Sequence, residues 1–139
     1  MLHVDQNYAR NPFVTMYDVK KNKITKKYGD GLWHILKTEE VLPFRGKYTI
    51  SVNIVESALN CIEMGIMPQE FTPVENKLCT RSIGFHFANG KIHDTNGDKE
   101  KKATSWRLAR EAAQPGEIGV LEMVVDVDNQ LIKWRFEGK

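Results

Sequence analysis

The chain has 139 residues, of which 41% are hydrophobic, 9% aromatic and 27% charged, with a net charge of +2. That size fits one domain able to bury a core, and so small a net charge says almost nothing about partners. No apolar run reaches bilayer-spanning length and the start Met1-Leu2-His3-Val4-Asp5 lacks a signal-peptide core, so the expectation is an intracellular, cytoplasmic protein with no membrane partner.

Residues 1–12 are polar and aperiodic and read as an N-terminal arm ahead of a domain spanning residues 13–139. Phe13–Val19 and Ile24–Tyr28, joined by Lys20-Lys21-Asn22-Lys23, read as a hairpin. Gly29-Asp30-Gly31 breaks the chain before a short apolar strand, Leu32–Leu36. After a loop at Pro43–Gly46, Lys47–Ile54 alternates cleanly, with Tyr48, Ile50, Val52 and Ile54 on the inward face. Leu59–Met67 reads as a strand, and 68–78 as a long loop. Ser82–Phe87 and Lys91–His93 flank Asn89-Gly90, the strongest short-range hairpin signal. Asn96–Lys102 reads as a charged loop tip. Ala103–Ala113 fits either a short helix or an irregular strand, and Trp106 and Leu108 suit the strand.

The chain closes on its clearest pattern. Ile118–Val127 and Leu131–Phe136 flank the turn Asp128-Asn129-Gln130, where Asn tolerates the positive φ of tight hairpins. Gly119, Leu121, Met123, Val125 and Val127 share one face. Ile132, Trp134 and Phe136 alternate with Lys133 and Arg135, which predicts a deeply buried Trp134 and Phe136. Val120 and Val124 suggest some cover on the first strand's other face. Many short strands punctuated by turns mean an all-β, two-sheet antiparallel sandwich.

In this order the elements resemble the SPRY domain in its protist-type form. The resemblance rests on Phe13–Tyr28 followed by Trp33-His34-Ile35, Gly46–Val52, Cys61–Met67, the hairpin Ser82-Ile83-Gly84-Phe85 with Asn89-Gly90-Lys91-Ile92, and the ending Gly116–Asp126 with Leu131–Lys139. It covers nearly the whole chain from residue 13. Glu117 stands where the family has Asp, and Glu137 where it has Asn. The family continues with further strands beyond the position of Lys139. The resemblance therefore implies a jelly-roll-like sandwich lacking those last strands, or one in which other residues fill their place. An edge left open there would pair with residues 1–12, with a partner, or with a second copy.

The residue chemistry points away from catalysis. His86 and His93 flank a hairpin, and no two histidines show a compact ligand spacing, so no metal or cofactor is expected. Cys61 and Cys79 stand alone in the sequence and read as free thiols rather than a disulfide. No serine sits in a nucleophile elbow. The basic hairpin Lys20, Lys21, Lys23, Lys26 and Lys27 suits a solvated edge better than nucleic acid, lacking interleaved aromatics. Trp106 with Arg107 and Arg110 offers a binding-hot-spot composition if exposed, and core packing with snorkelling arginines if not.

The expected function is thus a non-catalytic protein-interaction module that presents loops to a peptide or protein partner. The candidate contact residues are Gln69, Glu70, Glu75, Asn89, Asn96, Lys99, Trp106 and Arg107. The alternatives are a small-ligand or carbohydrate-binding jelly roll, and an architectural subunit of a larger assembly.

Overall fold

The computed structural model describes residues 2–5, 15–18, 20–26, 35–55, 62–71, 81–87, 91–94, 99–102 and 118–138. Among these residues the regular elements are all strands: β1 Thr15–Asp18, β2 Lys23–Lys26, β3 Lys47–Ile54, β4 Glu63–Ile66, β5 Ile83–His86, β6 Lys91–Asp94, β7 Lys99–Lys102, β8 Gly119–Asp126 and β9 Leu131–Gly138. Every pairing is antiparallel, giving the hairpin β1-β2, a sheet ordered β3-β8-β9 and a sheet ordered β4-β5-β6-β7. No helix of the described residues is long and apolar enough to cross a membrane. By contacts the chain divides into two compact units, Met1–Leu42 with Pro68–Cys79, and Pro43–Met67 with Thr80–Lys139.

In the second unit, β8 lies between β3 and β9 and is paired along its whole length. Its alternation is complete: Gly119, Leu121, Met123 and Val125 are buried, and the residues between them are half-buried. Leu121 is 0% exposed. Opposite residues of antiparallel strands share a face, so Ile54, Ile50, Phe136, Trp134 and Ile132 lie on the same side as these core residues. The β4–β7 sheet meets that side through two aromatic pairs. Phe85 stacks on Trp134 with centroids 5.4 Å apart, and Phe87 meets Phe136 at 4.7 Å with a tilt of 56°. The Trp134 Nε1–H donates to the Met64 carbonyl at 3.1 Å, so the indole buries its ring without leaving its one donor unsatisfied. β4 and β5 approach closely where Gly65 faces Gly84: a Cβ on Gly65 would collide with the Ile83 carbonyl oxygen.

Several expectations need correction. Trp134 and Phe136 have the expected phase but are half-buried rather than deeply buried. β9 is a border strand of its sheet, so cover reaches these rings from fewer sides than it reaches β8. Val52 was expected inward; it sits opposite Leu121 on the core side yet is 41% exposed, because β3 is the other border strand. Lys99–Lys102, expected in a loop tip, forms β7, whose register sets Lys99 opposite Asp94 and Glu100 opposite His93. Lysine-rich sequence is what a sheet border tolerates, since it discourages further strand addition. Ile35 and Leu36 lie outside any strand; the nearest ladder contact is an isolated bridge at Thr38. In the β8-β9 turn the positive φ falls on Gln130 at 52°, not on Asn129.

In the first unit, β1 and β2 form the expected hairpin within narrower bounds, with Asn22 at φ 47° in its turn. Residues 2–5 run antiparallel to residues 37–39. Val4 bridges Thr38, the Asp5 N–H donates to the Lys37 carbonyl at 2.8 Å, and the Glu39 N–H donates to the His3 carbonyl at 2.9 Å. Residues 2–5 of the arm therefore pair with 37–39. Val4 is buried, and the Asn22 Nδ2 amide donates to the Leu2 carbonyl at 2.6 Å. Glu40 closes the arrangement. Its carboxylate accepts the His3 backbone N–H at 2.8 Å and meets His3 Nδ1 at 2.6 Å. The backbone donor first, then the ring, lowers the Glu40 pKa to about 2.

Two outcomes follow. Leu121→Ala removes a fully enclosed side chain and is expected to cost about 2–5 kcal/mol, whereas Trp134→Phe, which loses the bond to Met64, costs about 1 kcal/mol; denaturant melts of both variants check this ranking. The Glu40 carboxylate is ionised in the folded chain down to about pH 2, so the stability it lends is complete above its unfolded pKa and lost as pH falls through the folded one. In an NMR titration, His3→Ala is expected to raise the Glu40 midpoint only part of the way, because the stronger backbone donor remains.

Candidate functional site

The sharpest surface feature of the second unit lies at the end of the sheet where β3 begins and β8 ends. Pro43-Phe44-Arg45-Gly46 leads into β3, and Val127-Asp128-Asn129-Gln130 joins β8 to β9. Pairing of Lys47 with Asp126 brings the two segments side by side. They are then laced together. The Gly46 N–H donates to Asp128 Oδ1 at 3.1 Å, and the Val127 N–H donates to the Gly46 carbonyl at 2.9 Å. The Tyr48 hydroxyl donates to the Arg45 carbonyl. Gly46 makes this path possible, with φ at 102° and its missing Cβ position only 2.8 Å from the Tyr48 hydroxyl.

The turn opposite is braced within itself. Asn129 donates its side-chain amide to Asp126 Oδ2 at 2.8 Å and its backbone N–H to Oδ1 at 3.2 Å. Those two bonds, side chain first, hold the Asp126 carboxyl below its ordinary pKa, with Lys47 adding to the effect. The Gln130 N–H donates to the Val127 carbonyl at 3.3 Å.

On this fixed frame Phe44 is 98% exposed. A phenyl ring in water forgoes most of the burial an aromatic normally gains. Beside it in sequence stand Arg45 and Lys47, and across the lacing stand Asp126 and Asp128. The end thus combines an apolar anchor, cations and carboxylates on a backbone already ordered. Such a set is chemically able to contact another surface with little ordering cost left to meet.

The residues singled out from sequence belong to other segments of the chain. Gln69 and Glu70 form an exposed turn in the first unit, closed by the Phe71 N–H on the Pro68 carbonyl at 3.1 Å. Lys37 Nζ donates to the Gln69 and Phe71 carbonyls at 2.9 and 3.2 Å and fixes that turn. Lys99 opens β7 in the second unit. Glu75, Asn89, Asn96, Trp106 and Arg107 lie outside the described residues, as do Cys61 and Cys79. Sequence reading passed over Phe44. The available signal was an aromatic between Pro43 and Gly46, where breakers on both sides deny it a place on a strand's buried face.

Gly46→Ala is expected to cost about 1–3 kcal/mol, the usual penalty for a side chain in a disfavoured backbone region, and to loosen the lacing. Thermal melts and amide exchange at Val127 check this: slower or unchanged exchange would contradict the bracing role.

Comparison with known proteins finds no matching family model, no matching curated protein and no matching solved structure.

Proposed function

We propose that the chain is a protein-interaction module built on a SPRY-like β-sandwich, which binds a protein or peptide partner through the end of the β3-β8-β9 sheet that carries Phe44. The observation that carries the reading is a phenyl ring 98% exposed on a loop held by three hydrogen bonds. A bare aromatic on a flexible tail would be ordinary; on an ordered backbone it is a ready-made anchor, since the entropy of holding it is already met by folding. The sandwich reading draws support from the aromatic contacts between the two larger sheets. The SPRY resemblance draws on the ordered motifs of the sequence. Cytoplasmic residence is the compartment this reading assigns.

A small-ligand jelly roll has less in its favour. Among the described residues, the depression on the second unit's outer sheet face has a volume of about 260 Å³ and is lined by Val120, Glu122, Arg135, Phe136 and Glu137. Arg135 Nε already pairs with Glu122 there, and drug-sized ligands occupy roughly 300–1,000 Å³ of mostly apolar cleft.

The test is affinity capture on the immobilised full chain, comparing wild type with Phe44→Ala and with Thr49→Ala, an exposed strand position, as control. Removal of a central anchor costs about 2 kcal/mol or more, roughly a thirtyfold loss of affinity. Proteins retained by wild type and Thr49→Ala are therefore expected to drop out with Phe44→Ala. Retention unchanged by Phe44→Ala would overturn the assignment of this end as the contact surface.

A further inference from the structure

The first unit brings together three metal-ligating side chains that are far apart in sequence. His3, Glu39 and Glu40 each offer a ligand atom, and these atoms lie within 4.8 Å of one another. Local spacing gave no hint of this, since His3 and Glu40 are 37 positions apart. The backbone creates the cluster. Residues 2–5 pair with 37–39, which sets His3 beside Glu39 through the Glu39 N–H and the His3 carbonyl.

A continuing strand would send residues 39 and 40 to opposite faces. Instead the chain bends at 39 and 40, and the Thr38 hydroxyl donates to the Glu40 carbonyl at 2.8 Å. The bend turns both carboxylates toward the same imidazole. The neighbours of His3 are fixed as well: Leu2 by Asn22 Nδ2, and Val4 by burial.

We propose that His3, Glu39 and Glu40 form a binding site for a divalent transition ion of the zinc class. One imidazole nitrogen with two carboxylate oxygens is a donor set suited to Zn²⁺ and its first-row neighbours, whereas Ca²⁺ and Mg²⁺ favour oxygen alone. Bonds of about 2.1 Å place tetrahedral donors roughly 3.4 Å apart. The donors of His3 and Glu40 already meet at 2.6 Å. The ion would part that pair slightly, draw Glu39 in, and take a water as its fourth ligand. Binding of the ion takes the place of the contact between His3 Nδ1 and the Glu40 carboxylate. The side chains involved are solvent-facing, so the ion has a direct route in.

The experiment is titration of the full chain with Zn²⁺ alone, read by calorimetry and by the His3 imidazole resonances. Wild type is expected to bind one equivalent, shifting the His3 signals and leaving those of His86 and His93 in place. Glu39→Gln is expected to weaken binding about tenfold or more, the least that loss of even a supporting group costs a metal site. It leaves the His3–Glu40 contact and the thermal midpoint in chelator unchanged. His3→Ala is expected to weaken binding further. Absence of stoichiometric binding in wild type, or binding that survives both substitutions, would overturn the proposal.

Discussion

The second unit depends on the burial of one face of β8. Leu121, Met123 and Val125 are 0%, 2% and 4% exposed, and they sit on a strand hydrogen-bonded on both sides. Full pairing satisfies the backbone polar groups that burial would otherwise strand, and the alternation confines the hydrophobic gain to one side. Everything around β8 serves to complete that side. β3 and β9 flank it with Ile54, Trp134 and Phe136, and β5 with the residue after it contributes Phe85 and Phe87, 2% and 1% exposed. The indole N–H of Trp134 reaches the Met64 carbonyl, so one side chain both packs and fixes the position of β4.

A firm central strand has a consequence at its end. The turn after β8 cannot drift while eight residues of ladder hold each flank, and Gly46 carries that rigidity over to the loop before β3 by two hydrogen bonds, its N–H donating to the Asp128 carboxylate and its carbonyl accepting from the Val127 N–H. Phe44 is presented by a frame whose order originates in the core. In the first unit ordering comes by a different means, through short backbone pairing of residues 2–5 with 37–39 and the polar contacts of His3, Glu40, Asn22 and Lys37. The second unit is ordered by hydrophobic burial and the first by hydrogen bonds, which respond differently to salt and pH.

The strands were legible where sequence carried period two. β3 keeps the bounds read from its alternation, and the β8-β9 hairpin and the β5-β6 pairing follow from Val/Ile alternation and Asn89-Gly90. What escaped was position within a sheet. Val52 alternates correctly but lies on a border strand, and nothing local in Ser51-Val52-Asn53 marks a strand as border or centre. Lys99-Glu100-Lys101-Lys102 has poor strand propensity, and pairing with β6 overrides it. The turn of β8-β9 was placed correctly, yet the left-handed residue is Gln130 because Asn129 spends its side chain on Asp126. The candidate sites depended on tertiary placement. Phe44 is functional in this account because its loop is laced to residues 127 and 128, and His3 joins Glu39 and Glu40 only through the arm's pairing.

The most direct measurement of the central claim places a photo-crosslinking phenylalanine analogue at position 44 and, in separate chains, at positions 70 and 106. With a partner bound, the account predicts strong crosslinking from position 44, since the proposed binding surface is the loop end of the β3-β8-β9 sheet. Efficient crosslinking to the same partner from position 70 or 106, with none from 44, would contradict it and move the surface to the loops first singled out from the sequence.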